Sequence, residues 1–585
     1  MSILTYILGW PLLAALGLVL VPRNYRVVIR AIAVLATLIS AVLAVKMFCQ
    51  YAGAPADVDG YRFVQQISWV ESLGISYHVG VDGLNVGLIL MGAIVAFAAA
   101  CCSWEIKERE KEFYILLLVM SGGILGAFAS LDLFFFYFLH ELALVPTFIM
   151  IGVWGRGERK NYATFQITLY LSVGALIALI GLIALYLQSG ANTFDIPKLI
   201  RYVHDENHPL AVTAQNFIFP LLLFGFGILV SLWPFHSWAP LGYGSAPTPT
   251  SMIHAGVLKK FGLYGLIRIA LPLLPQAAHD WMNFLAWLCL GNILYVGWVA
   301  MRQKDLNLLI GNSSVAHMGF VFLGIASLNL IGVTGAVVIM IAHGFLAALT
   351  FALSGYIYQQ TGTLEMSKLG GLCRQLPFIG TALLMAALAG CGLPGFANFV
   401  GEVTVFFGAW TVFPLVTALA VWGALLIGAL YMLRAMRDVL HGPLPEKWAG
   451  IPDASHVWRK LPYALLLASL FVFGCFPRLL TDKITPDADK IVKMATVKME
   501  AIVFETTEKR VVLVRPHPGP LSQERENLRR FYAITRDGGI PGDFGIRESG
   551  QLLSPLPGGE RQGEGEHVVS AQTSQNLISL AATGK

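Results

Sequence analysis

Long apolar stretches separated by short polar turns fill the first 480 residues of the chain. A helix that crosses a membrane needs about 20 mainly apolar residues, because each residue advances it by about 1.5 Å. By that criterion the pattern predicts about fourteen membrane-spanning helices. The predicted spans lie near residues 3–21, 27–48, 83–103, 113–130, 132–154, 162–188, 216–238, 248–271, 281–301, 307–327, 331–358, 376–410, 414–440 and 461–480. The stretch 376–410 is too long for one straight helix, so we expect a break within it.

The overall composition supports the same fold class. Of 585 residues, 56% are hydrophobic and 13% are charged, with a mean hydropathy of +0.67. Soluble domains are about 45–50% apolar and about 25% charged. This chain has too little polar surface for a soluble enzyme, a nucleic-acid binder or a disordered scaffold. The sequence therefore predicts an all-α polytopic membrane protein.

Basic residues predict the orientation of the helices. The odd-numbered loops between predicted spans contain about 18 lysines and arginines. The even-numbered loops contain little beyond Arg62, Lys198, Arg201 and Arg268. Loops rich in lysine and arginine stay on the cytoplasmic side. We therefore expect the odd-numbered loops to be cytoplasmic and both termini to lie outside.

The character of the chain changes after residue 480. Segments such as PHPGPLSQERE and LLSPLPGGERQGEGE are rich in proline, glycine and charge. Such segments cannot bury enough apolar surface to offset the entropy of ordering them. We therefore divide the chain into a transmembrane domain, residues 1–480, and a mostly disordered polar tail, residues 481–585.

The sequence offers no group for redox chemistry. Its seven cysteines form no C-x-x-C pair, and we find no glycine-rich nucleotide loop, no haem-binding histidine pair and no cluster-binding set of cysteines. We expect this chain to hold no cofactor and no metal ion.

Three ionisable residues interrupt the apolar spans. Glu141, Lys260 and Glu402 lie well inside predicted helices, where a charged side chain costs at least about 2.5–3.5 kcal/mol. Glu402 follows the Leu-Pro-Gly break of the overlong span, and broken helices inside a membrane are tolerated where they line a polar cavity. Burial disfavours charged side chains and brings carboxyl and ammonium groups toward titration near neutral pH. Each residue is therefore a candidate proton carrier, although helix packing or an incidental kink remains a simpler alternative.

Lys260 has a lysine neighbour, Lys259. Adjacent residues on a helix point about 100° apart, so the two lysines cannot share one face. We expect Lys260 to face the protein interior and Lys259 to face elsewhere.

Histidines add a possible polar track. His140 precedes the buried glutamate, whereas His236 and His254 flank the loop between spans seven and eight. His317 and His343 lie within consecutive apolar helices. Neutral imidazole accepts and passes protons near physiological pH, although a single intramembrane histidine is often only a hydrogen-bonding core residue.

These segments carry a family resemblance. In order, FFFYFLHELALVP, PFHSWAP, SAPTPTSMIHAGVLKKFGLYGLIR, SSVAHMGF, MIAHG and GLPGFANFVGE resemble the antiporter-like membrane-arm subunits of respiratory complex I. Within that family they are most similar to the group called subunit M in bacteria and subunit 4 in mitochondria. The resemblance covers about residues 1–480.

The resemblance implies a fold and a mechanism. It implies two inverted five-helix repeats, each with one discontinuous helix, in a bacterial inner membrane. Glu141, Lys260 and Glu402 match the family's fifth-helix glutamate, eighth-helix lysine and twelfth-helix glutamate of a proton path. It also implies partner subunits, among them neighbouring antiporter-like subunits, which hold the flavin, the iron–sulfur clusters and the quinone.

The sequence departs from the family pattern at two lysines. The lysine usually found seven residues before the histidine of the PFH motif is Leu229, and a lysine often found before span ten is Asn307. In the family, the first of these lysines normally interacts with the fifth-helix glutamate. Either His236, His254 or Lys259 therefore replaces it, or this chain pumps differently.

Three functions remain open from the sequence. The first is a proton-translocating subunit of an NADH–quinone oxidoreductase. The second is a homologous subunit of a multi-subunit cation/proton antiporter or a membrane-bound hydrogenase. The third is a non-pumping structural subunit, which the loss of the lysine at Leu229 favours. The retention of Glu141, Lys260 and Glu402 argues against it.

Overall fold

Helices form nearly all of the regular structure in the computed structural model, which describes residues 2–205 and 207–512, with the backbone alone over 497–512. The first half of the chain contains α1 (Ile3–Leu20), α2 (Arg26–Gln50), α3 (Val86–Cys102), α4 (Glu110–Ala129), α5 (Leu133–Trp154), α6 (Lys160–Ser189), α7 (Ile196–His204), α8 (Val212–Val230) and α9 (Trp238–Ser245). The second half contains α10 (residues 248–273), α11 (Pro275–Arg302), α12 (Leu306–Ala326), α13 (Leu330–Thr361), α14 (Pro377–Gly390), α15 (Ala397–Trp410), α16 (Pro414–Leu440), α17 (Val457–Cys475) and α18 (Arg478–Val512).

Every predicted span coincides with helical structure. Among the described residues, 12 helices are long and apolar enough to cross a membrane. The two predicted spans outside that set are α10, which contains two π-turns, and the pair α14–α15. The chain is thus a helical, polytopic membrane protein. The count of fourteen crossings, the repeat symmetry and the outer position of both termini stay predictions.

Two helices are interrupted, as the resemblance implies. Between α8 and α9, Asn292 on α11 supports the turn: its Oδ1 accepts from the Trp233 backbone N–H at 2.7 Å, and its Nδ2 donates to the Ser231 carbonyl at 2.9 Å. Between α14 and α15, Gly392 and Gly395 have φ angles of +71° and +99°. An interruption leaves backbone groups that need partners inside a membrane, and side chains supply several of them.

A β-hairpin between α2 and α3 was not predicted from the hydropathy pattern. Its antiparallel strands are β1 (Arg62–Val70) and β2 (Ile75–Val81). His78 on β2 lies 2.9 Å from the carboxylate of Asp195, which also accepts from the Lys198 backbone N–H at 3.0 Å and so caps α7. Burial alone would raise the pKa of Asp195, but these hydrogen bonds hold it below its usual value. The pair joins the hairpin to the helical bundle.

The centre of the bundle consists of helices that are buried on all sides. Nearly all of α3, α12 and α13 is buried, and so is every residue from 245 to 275, which includes all of α10. A helix that is apolar all round belongs in such a position. Any ionisable residue on α10 is therefore surrounded by protein whichever way it points.

The helical part of the chain extends further than predicted. The predicted boundary at residue 481 falls inside α18, whose buried side chains recur at helical spacing. These side chains are Leu480, Ile484, Ala488, Ile491 and Ala495. An amphipathic helix with one apolar stripe packs on the bundle although its mean hydropathy is low. The predicted disorder of the tail otherwise concerns residues 513–585, which lie outside the described residues.

Asp487 anchors α18 to the start of α3. Its Oδ2 accepts from the Gly83 backbone N–H at 2.7 Å, and its Oδ1 accepts from Lys490 at 2.8 Å. We expect Asp487→Ala to lower the free energy of unfolding by about 1–3 kcal/mol, since a buried N–H loses its acceptor. Truncation after residue 500 should leave stability unchanged, because it removes no described buried side chain. Thermal unfolding in detergent measures both, and the opposite ranking would contradict this account.

Candidate functional site

Lys260 lies at a helix irregularity in the centre of the bundle. Residues His254–Leu258 of α10 form a π-turn, a feature that often marks functional sites. The Lys260 Nζ donates to the carbonyl of Ala255 at 2.6 Å and lies 2.9 Å from the Nδ1 of His343. The Lys260 Nζ thus has a backbone acceptor and an imidazole neighbour, although the residue is fully buried.

A close contact between two helices brings Lys260 to His343. A Cβ atom on Gly256 would lie 2.9 Å from the carbonyl oxygen of Gly344, and one on Gly344 would lie 2.9 Å from that of Gly256. Small residues allow helices to approach closely in membrane proteins. The glycine pair therefore sets the separation of α10 and α13 one turn from the lysine.

Lys259 is also buried, so the prediction that it faces away from the interior is wrong. Its Nζ lies 3.5 Å from the Ser314 Oγ on α12 and 5.6 Å from the centre of the Tyr243 ring. The two lysines do point in different directions, as helix geometry requires. Both directions lead into protein, because α10 is central.

The histidines of α12 and α13 are brought together. The ring centres of His317 and His343 are 5.5 Å apart. The Nδ1 of His317 lies 2.7 Å from the Ser313 carbonyl and its Nε2 lies 3.1 Å from the Gly390 carbonyl. Only the doubly protonated imidazole can donate to both oxygens. The structure therefore provides acceptors for a proton at His317.

Glu402 lies beside His317. Its Oε1 lies 3.6 Å from the Nε2 of His317, and its side chain is 8% exposed. The carboxylate lies over the break, where a Cβ on Gly392 would approach its Oε2 to 2.9 Å. The break therefore requires glycine at this position both for its left-handed backbone and for the space that the carboxylate occupies.

Two cavities meet at Glu402. One is small and enclosed, and its lining includes His317 and Tyr431. The Tyr431 hydroxyl donates to the Ser313 Oγ at 3.0 Å. The other is a groove of about 490 Å³ on the outer surface between α15 and α16, lined mainly by apolar side chains that include Phe407 and Trp410. Lys260, His343, His317 and Glu402 form a buried row of polar side chains. Glu402 lies at the end of this row that is nearest to the outer face of the chain.

Glu141 lies apart from this row. It belongs to an exposed stripe of α5, together with Phe138, Val145 and Ile149, and its side chain is 30% exposed. Its Oε1 is 3.4 Å from the Nδ1 of His140. Among the described residues no lysine or arginine lies within 4.0 Å of its carboxylate. A carboxyl group on an otherwise apolar stripe favours contact with another protein at this face.

The three remaining histidines differ in their surroundings, and His254 is 2% exposed with its ring centre 5.3 Å from that of Tyr243. His140 is buried and its ring stacks on Phe261 with the centres 3.8 Å apart. His236 lies in the turn after α8 with its Nδ1 3.2 Å from the Pro234 carbonyl and its ring near the exposed Tyr295. The structure therefore does not bring His236 to the lysines.

One site that sequence reasoning missed is a buried ion pair. Arg268, which the loop count assigned to an outer loop, is 2% exposed on α10, and its guanidinium lies 2.6 Å from the Asp82 carboxylate. The same guanidinium donates to the hydroxyls of Tyr264 and Tyr61 at 3.0 and 3.1 Å. The available signal was the aspartate in the apolar stretch ISYHVGVDGLNVG, which needs a buried partner.

Comparison with known proteins places the chain in a family. The family model described as NADH:quinone oxidoreductase/Mrp antiporter, transmembrane region, matches residues 130–428, which include all the site residues named above from Glu141 to Glu402. NADH-quinone oxidoreductase subunit M of Rickettsia bellii is 34% identical over 418 residues, covering 71% of this chain and 83% of that protein. NAD(P)H-quinone oxidoreductase chain 4 1 of Picosynechococcus is 34% identical over 488 residues, covering 82% and 89%.

Solved structures agree on the fold. A chain of respiratory complex I from Thermus thermophilus superposes with a TM-score of 0.76 at 28% identity, covering 84% of this chain and 99% of that one. A chain of the Mrp complex from Dietzia gives 0.72 at 19% identity, covering 85% and 98%, and supports the fold alone. The chain belongs to the NADH:quinone oxidoreductase/Mrp antiporter family of membrane proteins.

Leu229 tests how far the polar interior extends. The residue is 4% exposed and belongs to the hydrophobic core. We expect Leu229→Lys to reduce the yield of folded chain, because an unpaired buried charge costs at least about 2.5–3.5 kcal/mol. Leu229→Met, which keeps the apolar character, should give a normal yield. Size-exclusion chromatography of a fluorescent fusion measures both, and equal yields would show that the site is already hydrated.

Proposed function

We propose that this chain is a proton-translocating membrane subunit of an NADH–quinone oxidoreductase in a bacterial inner membrane. The observation that carries the proposal is the buried row Lys260–His343–His317–Glu402, in which neighbouring side chains lie close enough to exchange protons directly or through one intervening water. The names of the curated relatives support the assignment to this complex rather than to a free-standing antiporter.

The chemistry of the row is proton transfer without electron transfer. A proton on Lys260 favours the ionised form of a nearby carboxylate and disfavours a proton on a nearby imidazole. Moving one charge therefore changes the occupancy of the next site. In this proposal the flavin, the iron–sulfur clusters and the quinone belong to partner subunits, and neighbouring antiporter-like subunits contact the faces that carry Glu141 and Glu402.

Glu402→Gln tests the proposal, because glutamine keeps the shape of the side chain and removes its titration. In membranes containing the intact complex, we expect quinone-linked NADH oxidation and membrane acidification to fall about tenfold or more. NADH oxidation by ferricyanide, which bypasses the membrane arm, should be normal. Glu446→Gln, an exposed loop substitution, is the matched control. Unchanged acidification in Glu402→Gln would sink the pumping assignment.

Glu141→Gln tests whether the carboxyl group on α5, which lies apart from the buried row, takes part in proton transfer. If Glu141 hands protons across the face it shares with a neighbouring subunit, both quinone-linked oxidation and acidification should fall about tenfold, although the usual lysine is absent at Leu229. The ferricyanide activity should stay normal. Full acidification in this variant would favour a spacer role for the half of the chain around α5.

A further inference from the structure

A large cavity with both polar and apolar lining opens on the face formed by the odd-numbered loops, here called the basic-loop face. It has a volume of about 590 Å³, and its lining includes Cys101, Glu105, Arg156, Gln359 and Arg459. Its lining also includes Pro247, the residue directly before α10. The cavity therefore joins the basic-loop face to the helix that holds both buried lysines.

Glu105, which lines this cavity, accepts hydrogen bonds from the first residue of α10. Its Oε1 accepts from the Thr248 backbone N–H at 2.7 Å, and its Oε2 accepts from the Thr248 Oγ1 at 2.9 Å. Gln359 donates to the same Oε2 at 3.2 Å, and Arg156 donates to the Thr248 Oγ1 at 3.3 Å. A titratable carboxyl group thus lies where the open cavity meets the buried helix.

Buried polar atoms without partners continue inward from this point. In the part of the chain that the structure describes, the Thr250 Oγ1, the Tyr243 hydroxyl and the His254 Nδ1 make no hydrogen bond. These residues are 0%, 0% and 2% exposed. Buried polar groups are almost always hydrogen-bonded, and ordered water is the usual partner where protein supplies none.

The Tyr243 ring lies close to both His254 and Lys259. The ring centres of Tyr243 and His254 are 5.3 Å apart, and the Lys259 Nζ lies 5.6 Å from the centre of the same tyrosine ring. On its other side Lys259 meets the Ser314 Oγ at 3.5 Å. Ser314 neighbours Ser313, whose Oγ lies 3.5 Å from the Nδ1 of His317. Lys259 therefore lies between the polar cluster and the row that ends at Glu402.

We propose that the cavity at Glu105 and the cluster of Tyr243, Thr250 and His254 form the entrance through which protons from the basic-loop face reach Lys259. In this proposal Lys259 is the proton-accepting group in place of the lysine that the family usually has at the position of Leu229. This inference rests on the proposed function. Each step moves one proton: it arrives through the cavity, binds neutral Lys259 by way of His254, and passes to His317, which leaves Lys259 neutral again.

The structure selects among the three replacements that the sequence leaves open. His236 contacts neither lysine and lies beside the exposed Tyr295. His254 and Lys259 are both buried and share Tyr243 as a neighbour. The missing group is thus replaced by residues of α10 itself, and the entrance follows α10 from its first residue instead of α8.

The test uses the intact complex in membranes and varies His254. His254→Phe keeps the ring volume and removes both nitrogens, whereas His254→Ala leaves a space for free imidazole. We expect quinone-linked NADH oxidation and acidification to fall about tenfold in both variants. Added imidazole should restore activity in His254→Ala but not in His254→Phe. Normal activity in His254→Phe, or a loss that imidazole does not relieve in either variant, would overturn the proposal.

Two further substitutions extend the test along the same route. Glu105→Gln retains a carbonyl acceptor and gains an amide donor for Thr248 but cannot titrate, and Lys259→Met keeps the length of the side chain. Both should lower pumping about tenfold, whereas Tyr186→Phe, which removes a hydroxyl that donates to the Leu73 carbonyl at 3.4 Å and does not line this cavity, should not. Normal pumping in Glu105→Gln and Lys259→Met, with loss in Glu402→Gln, would reject this entrance and keep the proposed function. Normal pumping in all three would reject the proposed function as well.

Discussion

The free-energy cost of burying an ionisable group inside an apolar helical bundle accounts for two places where the backbone departs from regular α-helix, the π-turn of α10 and the break after α14. An ionisable group away from water needs a partner, and a regular α-helix has already used its own carbonyls. Lys260 finds an acceptor at Ala255, inside the π-turn of α10. His317 finds one at Gly390, where α14 ends at the break. At these two irregularities, backbone carbonyls outside the regular helix pattern accept hydrogen bonds from buried ionisable side chains and so lower the free-energy cost of burying them.

The same constraint explains how α10 is held. At its beginning Glu105 accepts two hydrogen bonds from Thr248, and toward its other end Arg268 pairs with Asp82 at 2.6 Å. Asp82 in turn accepts from the Leu84 backbone N–H at 3.0 Å at the start of α3. A carboxylate that accepts hydrogen bonds at one end and an ion pair toward the other fix the rotation of α10, and that rotation decides which side chains Lys259 and Lys260 contact.

The sequence allowed correct predictions of features that depend on one segment alone. It did not allow correct predictions of features that depend on which distant segments pack together. Apolar length locates the spans, and charge in an apolar span locates Lys260, His317 and Glu402. The burial of Lys259 depends on α10 being surrounded, and Arg268 resembled a loop residue until Asp82 was placed beside it. Residues from distant segments that meet only in the folded chain leave little trace in hydropathy.

Two consecutive buried lysines also constrain the order of events. Like charges close together in a low-dielectric interior disfavour each other, so Lys259 and Lys260 are not readily protonated together. Lys259 faces the serines of α12, whereas Lys260 faces His343 on α13. In the proposed route, the arrival of a proton at Lys259 therefore disfavours a second charge on Lys260, whose neighbour is His343. In the proposed route, the adjacency that a helix forces on neighbouring residues thus links the charge of one lysine to the charge of the other.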